Sequence, residues 1–331
     1  MSRSRIIGTG FHVPDQVVRN DDLAKLMDTT DEWIRTRTGI QERHWVREGE
    51  SGAEMAKEAA DRALEMAGLR ATDLDAIIYA TSTPDHYVPG GGVFLQRLMG
   101  VPAIPAMDVH QACSGFVFSL SVADAWIQAG QYRRILVVGA EIQSTAMDVT
   151  TRGRNTAVIF ADGAGAVVLA PSEDARRGLF AFDLHSQGEH AEMLWVDTPG
   201  CMYHPRITKE HIDQGRHFLQ MDGKEVFRHA VTRMPESVRA VLDRIGASTE
   251  ELKLLLPHQA NLRISEAVQK ELRLRDDQVY NNIQRYGNTT AATLPILLDE
   301  SVRGGRLNPG DLVILTAFGA GFSWGSVALR W

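Results

Sequence analysis

The chain has 331 residues, 44% hydrophobic and 23% charged, with a formal net charge of -7, the composition of a soluble globular protein with one large domain or two similar ones. That charge argues against a nucleic-acid surface, and the two cysteines, Cys113 and Cys201, give neither a disulfide framework nor a Cys-x-x-Cys metal pair, which fits a reducing cytoplasm. No long apolar core follows the first basic residues and no apolar run is long enough to cross a bilayer, so neither a signal peptide nor a membrane span is expected.

Residues 5–11 read as a first strand. Gly8-Thr9-Gly10 invites a dinucleotide-binding reading, but Val13 stands where the third glycine belongs and no acidic residue is placed by a following βαβ unit. Asn20 is expected to cap a helix reaching Met27, and Thr30-Asp31-Glu32 to begin a short one carrying Trp33, Arg35 and Arg37. On composition alone Trp33 reads as a core residue ahead of an exposed stacking platform. Ser51 and Glu54 form a capping box for a helix over 53–67, which Gly68 ends.

A strand over 75–80, a loop with Pro84 and Pro89-Gly90-Gly91-Gly92, and a helix over 93–99 lead to a strand over 103–109. A helix over 116–129, stopped by Gly130, and an apolar strand over 134–139 follow. The alternation indicates parallel sheet with covering helices. Strands are expected over 156–160 and 165–170, on either side of Asp162-Gly163-Ala164. Residues 171–218 read as irregular and polar, with His185, His190, Cys201, His204, His211 and His217 at spacings that match no structural-zinc pattern. This stretch reads as the divide between two halves, 1–170 and 171–331.

In the second half, Pro235 is expected to kink or break a helix over 224–245. A strand over 253–256 ends in Pro257-His258-Gln259-Ala260-Asn261, before helices over 264–272 and 290–303 and strands over 311–317 and 326–330. The segments 75–99 and 253–272 are both strand, turn, helix, and 156–170 and 311–331 are both strand, Gly-Ala-Gly turn, strand, as a duplicated α/β unit would give.

Cys113 falls on the turn between a strand and a helix. The positive end of the helix macrodipole there favours thiolate, whereas the plain alternative is a small buried cysteine. His258 and Asn288 sit at similar turns, so one pocket at the carboxyl ends of strands could collect all three. A Cys-His pair with an Asn is a nucleophilic arrangement, and a cysteine proteinase is one reading of it, although the local signature of that class around Cys113 is absent.

Ala112-Cys113-Ser114-Gly115, His258-Gln259-Ala260-Asn261-Leu262-Arg263, Gly287-Asn288-Thr289 and Phe318-Gly319-Ala320-Gly321-Phe322 together resemble the β-ketoacyl-ACP synthase III family. Asp31-Glu32-Trp33-Ile34, Arg37-Thr38-Gly39-Ile40 and Asp162-Gly163-Ala164-Gly165 extend the resemblance nearly end to end. It implies a thiolase-like five-layered αβαβα fold from two similar halves, a homodimer, and decarboxylative condensation of an acyl-CoA primer with malonyl-acyl carrier protein to begin a fatty acid. No metal or other cofactor is implied, coenzyme A entering as the substrate thioester. By the same resemblance Cys113 carries the acyl group and the backbone N–H groups of Cys113 and Ala320, the latter in place of a usual glycine, form the oxyanion hole. His258 and Asn288 stabilise the malonyl enolate, and Phe318 gives the decarboxylation pocket an apolar wall. Trp33, Arg37, Arg154 and Asn261 bind CoA, with Arg152 the rival of Arg154, while Arg228 and Arg263 dock the acidic carrier.

Tyr87 is implied near the primer pocket. There Gly90, Gly91 and Gly92 replace bulkier residues and the segment 186–220 is long, which favours primers longer than acetyl, whereas a bulky Tyr87 closing the pocket would leave acetyl-CoA the best primer. A relative acting in secondary metabolism, on alkylquinolones or polyketide priming, is the alternative, and a non-enzymatic carrier-binding module a remote one.

Overall fold

The computed structural model describes residues 3–331. Its first sheet has the strand order Ser4–His12, Gly163–Pro171, Ile135–Glu141, Ala76–Ala80, Ala106–Val109. The last three run parallel, and Gly163–Pro171 is antiparallel to both its neighbours. The second sheet has the order Leu252–Pro257, Leu312–Gly319, Ser323–Arg330, Gly178–Ser186, the first pair parallel and the other pairings antiparallel. A parallel bridge from Leu255 to Val279 lies where the first sheet has Ala106–Val109. Strand order and direction therefore repeat between the sheets.

The pleat sends alternate side chains to opposite faces. Ile78, Ile135, Val137, Val167 and Leu169 turn one way, and meet Leu254, Leu256, Val313, Leu315 and Val327 of the second sheet around two helices, Gly115–Gln128 and Thr293–Arg303. Ile77, Tyr79, Leu136, Val138 and Val168 turn the other way, against the helices Gly52–Ala67 and Gly91–Met99. Leu255, Leu312, Ile314 and Ala328 likewise face Gly223–Ile245 and Leu262–Leu272. Five layers result, αβαβα. The glycines once considered for a dinucleotide instead bring strand and helix together: a Cβ on Gly8 would stand 2.1 Å from the Ala63 carbonyl oxygen, and one on Gly10 2.3 Å from that of Ala59.

Several local expectations fail for physical reasons. The stretch 171–218 contains the strand Gly178–Ser186, whose alternation is masked by a register shift opposite Ala328 and Leu329 and by the buried Asp183, held by Arg244 and His185. Residues 156–160 form no strand: Arg154–Ala157 is helical, and Phe160 makes a single bridge to Asn288. The counterpart of Leu312–Gly319 is thus Ile135–Glu141. Asn20 does not cap, because its amide donates to Asp31 and the Ile40 carbonyl, and its Oδ1 accepts from buried Arg43. Its helix is the short Asn20–Leu23. Pro235 leaves Gly223–Ile245 one unbroken helix. The Ser51–Glu54 capping box and the Gly68 C-cap form as expected.

Candidate active site

Strand Ala106–Val109 ends just before the tight turn Ala112–Ser114, from which helix Gly115–Gln128 springs. Ala112 has φ +45°, a left-handed conformation that costs a non-glycine residue about 1–2 kcal/mol and is characteristic of functional turns. Ser114 Oγ lies 2.7 Å from Ser323 Oγ, itself 2.7 Å from the Ala320 carbonyl oxygen, tying the Cys113 turn to the 318–323 segment. Gly319 allows the closest approach, since a Cβ there would stand 2.7 Å from Cys113 Cβ and 3.0 Å from its backbone nitrogen.

Cys113 itself is buried, and burial pushes its thiol up to about 12, with the nearby Glu141 carboxylate adding to the shift. Both act against the macrodipole of the helix, which begins two residues later at Gly115.

His258 follows Leu252–Pro257 directly and extends the parallel ladder, its N–H donating to the Thr316 carbonyl at 2.8 Å, two residues before Phe318. Gln259 braces this bend by accepting from the N–H groups of Asn282 and Ile283. Both ring nitrogens of His258 are buried without a hydrogen-bond partner, and burial lowers its pKa to about 3. An unpaired buried polar group costs about 1–3 kcal/mol. Such a cost in a fully enclosed neutral imidazole marks a group kept for a ligand.

Asn288 is fixed by its N–H to the Ile159 carbonyl and by its own carbonyl, which accepts from Ala161. Its Oδ1 accepts from Thr290 N–H at 2.9 Å, leaving the NH2 as its donor group. The following turn, Thr290–Ala292, packs on the Ala112–Ser114 turn. The Ala291 carbonyl oxygen would stand only 2.3 Å from a Cβ on Gly139. Phe318 is buried beside Phe322, ring centroids 4.9 Å apart, in an apolar wall. Two buried links thus run to one place, from His258 through Thr316 to Gly319 and Cys113, and from Asn288 through Thr290–Ala292 to the Cys113 turn.

A second constellation forms at the surface. Thr30 caps Asp31–Thr38, which presents a half-buried Trp33 with the Arg37 guanidinium 4.5 Å and the Arg154 guanidinium 4.8 Å from its ring centroid. Trp33 is thus part core and part surface: it packs against the Ile34, Ile40 and Met147 cluster while two guanidinium groups lie over its ring. Asn261 caps Leu262–Leu272 and donates to the Arg37 carbonyl at 2.9 Å. Of the rival arginines, Arg152 is turned away, bound to Asp148 and the Asp213 carbonyl. Arg228, paired with Glu225 at 2.6 Å, and Arg263, 5.8 Å from the Phe227 ring centroid, are exposed on the adjoining helices Gly223–Ile245 and Leu262–Leu272.

Tyr87 is 66% exposed, with the Arg206 guanidinium over its ring. The three glycines free no volume for a primer. Asp108 accepts from Gly91 and Gly92 N–H at 2.6 and 2.8 Å, and a Cβ on Gly90 or Gly91 would meet Asp108 or Tyr79 at 2.5 or 2.7 Å. Their smallness serves helix capping by a carboxylate, so of the two grounds for a longer primer only the long 186–220 segment stands. Among the described residues no group of three or more His, Cys, Asp or Glu could hold a metal ion, and no helix is long and apolar enough to cross a membrane.

Sequence reasoning missed Gly319 and Glu141. The second left a signal, an acid closing an otherwise wholly apolar strand.

Family models for "3-Oxoacyl-[acyl-carrier-protein (ACP)] synthase III" match residues 107–188 and, for its C-terminal part, 242–331. A β-ketoacyl-[acyl-carrier-protein] synthase III of Xanthomonas campestris is 44% identical over 328 residues, 99% of this chain and 98% of the relative. Among solved structures, the 3-oxoacyl-[acyl-carrier-protein] synthase III of Aquifex aeolicus VF5 superposes with a TM-score of 0.91 at 41% identity, covering 99% of this chain and 100% of that one. The enzyme of the same description from Pseudomonas aeruginosa PAO1 gives 0.90 at 40%, covering 99% and 98%. Two similar halves that together stack into five layers, αβαβα, with the Cys113 turn after a parallel strand, define a condensing acyltransferase of the thiolase fold. The chain belongs to the 3-oxoacyl-[acyl-carrier-protein] synthase III family.

Proposed function

We propose that this enzyme begins fatty acid synthesis by decarboxylative Claisen condensation of an acyl-CoA primer with malonyl-acyl carrier protein, through an acyl-Cys113 intermediate. The observation that carries the reading is the enclosed, neutral His258 with both ring nitrogens unpaired, on a strand neighbour of the segment that touches Cys113. Cys113 Sγ attacks the thioester carbonyl, the C–S bond to CoA breaks, and the thiol proton leaves with CoA as its free thiol. Backbone N–H groups of Cys113 and Ala320 hold the oxyanion, each such donor lowering the barrier by about 3 kcal/mol. Malonyl carrier protein then loses CO2 beside Phe318, whose apolar wall denies the carboxylate solvation. His258 and Asn288 hydrogen-bond the resulting enolate oxygen. The enolate carbon attacks the acyl carbonyl, the Cys113–acyl bond breaks, and the released Cys113 thiolate takes up one proton from solvent. These steps balance with no resident cofactor.

Trp33, Arg37, Arg154 and Asn261 would hold CoA, its adenine entering against the Trp33 ring by displacing a guanidinium. The relatives named as synthase III support this reading over a role in secondary metabolism. The open edge of Ala106–Val109 and the exposed apolar side chains of Val88 and Met202 support a homodimer, and the two free cysteines support a cytoplasmic location. The division into halves at 1–170 and 171–331 is part of the same proposal.

Intact-protein mass spectrometry after incubation with acetyl-, butyryl-, hexanoyl- or octanoyl-CoA tests the reading. One acyl mass shift is expected, mapped to Cys113 and abolished in Cys113→Ala, with the exposed Cys201 unmodified. An acyl group on Cys201, or a shift that survives Cys113→Ala, overturns the mechanism.

Docking has its own expected outcome. Arg228→Glu places a second carboxylate beside Glu225, and with Arg263→Glu it should weaken use of malonyl carrier protein far more than use of malonyl-CoA, by an amount that shrinks with added salt. Equal losses with both donors at every ionic strength would remove these arginines from the carrier surface.

A further inference from the structure

A cavity of about 410 Å³ opens at the amino ends of the parallel strands of the first sheet, the end opposite the Cys113 turn, with Arg5, Arg133, Arg134 and Glu173 around the apolar Ile7, Ala170 and Pro171. Strand pairing sets its width. Ile6 and Ile135 both pair with Leu169, from opposite sides, so Arg5 and Arg134, each one residue earlier, flank the small Ala170. Their backbones, two strands apart, therefore stand about 10 Å from one another. Asp75 braces the other wall by accepting from the N–H groups of Arg133 and Arg134 at 3.0 and 2.8 Å, while its carboxylate stays 3.9 Å from Arg134 Nε.

Nearby arginines are engaged: Arg176 with Asp174 at 3.1 Å and Arg177 with the Trp331 carbonyl at 2.8 Å. The side chains of Arg5 and Arg133 make no hydrogen bond or ion pair among the described residues, and Arg5 Nε is buried without a partner. A buried donor left unmet in the wall of a cavity points to a ligand. A carboxylate fills one guanidinium fork, whereas the three oxygens of a phosphate serve two forks at once. The volume, within the range of about 300–1,000 Å³ typical of small-molecule sites, leaves room for an organic body on Ile7, Ala170 and Pro171.

We propose that this cavity is a second binding site, for a small phosphate monoester whose dianion is held by Arg5, Arg133 and Arg134. The site is independent of the acyl-transfer reading, since no residue of it touches the Cys113, His258 or Asn288 turns. Glu173 is the carboxylate of the lining and opposes the anion, which gives its exchange the opposite sign to that of the arginines.

Isothermal titration of the full-length enzyme with phenyl phosphate is the measurement, with benzoate supplying the same ring on a carboxylate and inorganic phosphate the anion without a body. Phenyl phosphate should saturate one site and bind at least about tenfold tighter than either. Arg5→Gln and Arg133→Gln should each weaken it about tenfold, as loss of a charge-assisted hydrogen bond requires. Glu173→Gln should tighten it, added salt should weaken it, and acyl transfer to Cys113 should be unchanged in all three variants. Arg154→Gln should leave the affinity as it is. No saturable heat up to about 10 mM overturns the proposal. So does benzoate or inorganic phosphate binding as tightly, or a loss in Arg154→Gln with none in Arg5→Gln, which moves the ligand to the Trp33 constellation. If Arg5→Gln does not fold, an unchanged affinity in Arg133→Gln, at an exposed position, overturns it equally.

Discussion

His258→Ala and Asn288→Ala should still acylate Cys113 to a useful extent while losing malonyl decarboxylation by about 10²-fold or more. Acyl transfer draws on backbone N–H groups that neither substitution touches. Decarboxylation leaves an enolate whose oxygen needs donors, and the proposed mechanism draws them from these two side chains: an imidazole with no competing partner and an amide whose oxygen is already engaged by Thr290. Protonation adds nothing, because burial holds His258 near 3 and the ring stays neutral at every pH the enzyme would meet. Between pH 5 and 8 the decarboxylation rate should therefore show no histidine step, its pKa lying below the whole range. Radiolabelled CO2 release measures one half-reaction and mass spectrometry the other. Equal losses in both would make His258 the base for Cys113, as in a proteinase.

The turns that carry Cys113, His258 and Asn288 were legible because short motifs specify turns, and turn chemistry is local. The Ser51–Glu54 capping box and the Gly68 stop were legible for the same reason. What escaped depends on neighbours distant in sequence. The acidity of Cys113 is decided by desolvation and by Glu141, 28 positions along the chain, neither visible in the helix-terminus pattern. Gly178–Ser186 hid in a polar stretch because Asp183 breaks its alternation and is held by Arg244 from the helix Gly223–Ile245 and by His185. The run of β-branched and aromatic residues from Thr156 to Phe160 reads as strand, yet its place in the fold is a helical turn leading to the Asn288 bridge. Gly90, Gly91 and Gly92 suggested space, but the Asp108 carboxylate and the Tyr79 ring occupy it.

Gly319→Ala should abolish acylation of Cys113, by about 10²-fold or more, whereas Ala320→Gly, one residue on, should leave it within about threefold. The contrast separates shape from chemistry. Gly319 ends the buried strand Leu312–Gly319, and a methyl there would press to 2.7 Å against Cys113 Cβ and 3.0 Å against Cys113 N, the nitrogen assigned to the oxyanion hole. Neither contact is the free end of a flexible side chain. The Cys113 turn is braced by Ser114 against Ser323 and by the packing of Thr290–Ala292, so relief must come from shifting the nucleophile itself. A misplacement of about 1 Å at the reacting atom is enough to cost about 10²-fold. Ala320 contributes a backbone N–H, which glycine also has, so its exchange removes a methyl and no donor. Thioester-dependent mass shift against time measures both variants, with melting temperature recorded alongside. A folded Gly319→Ala enzyme that acylates at the normal rate would show that the close approach of Gly319 to Cys113 has no part in placing the nucleophile.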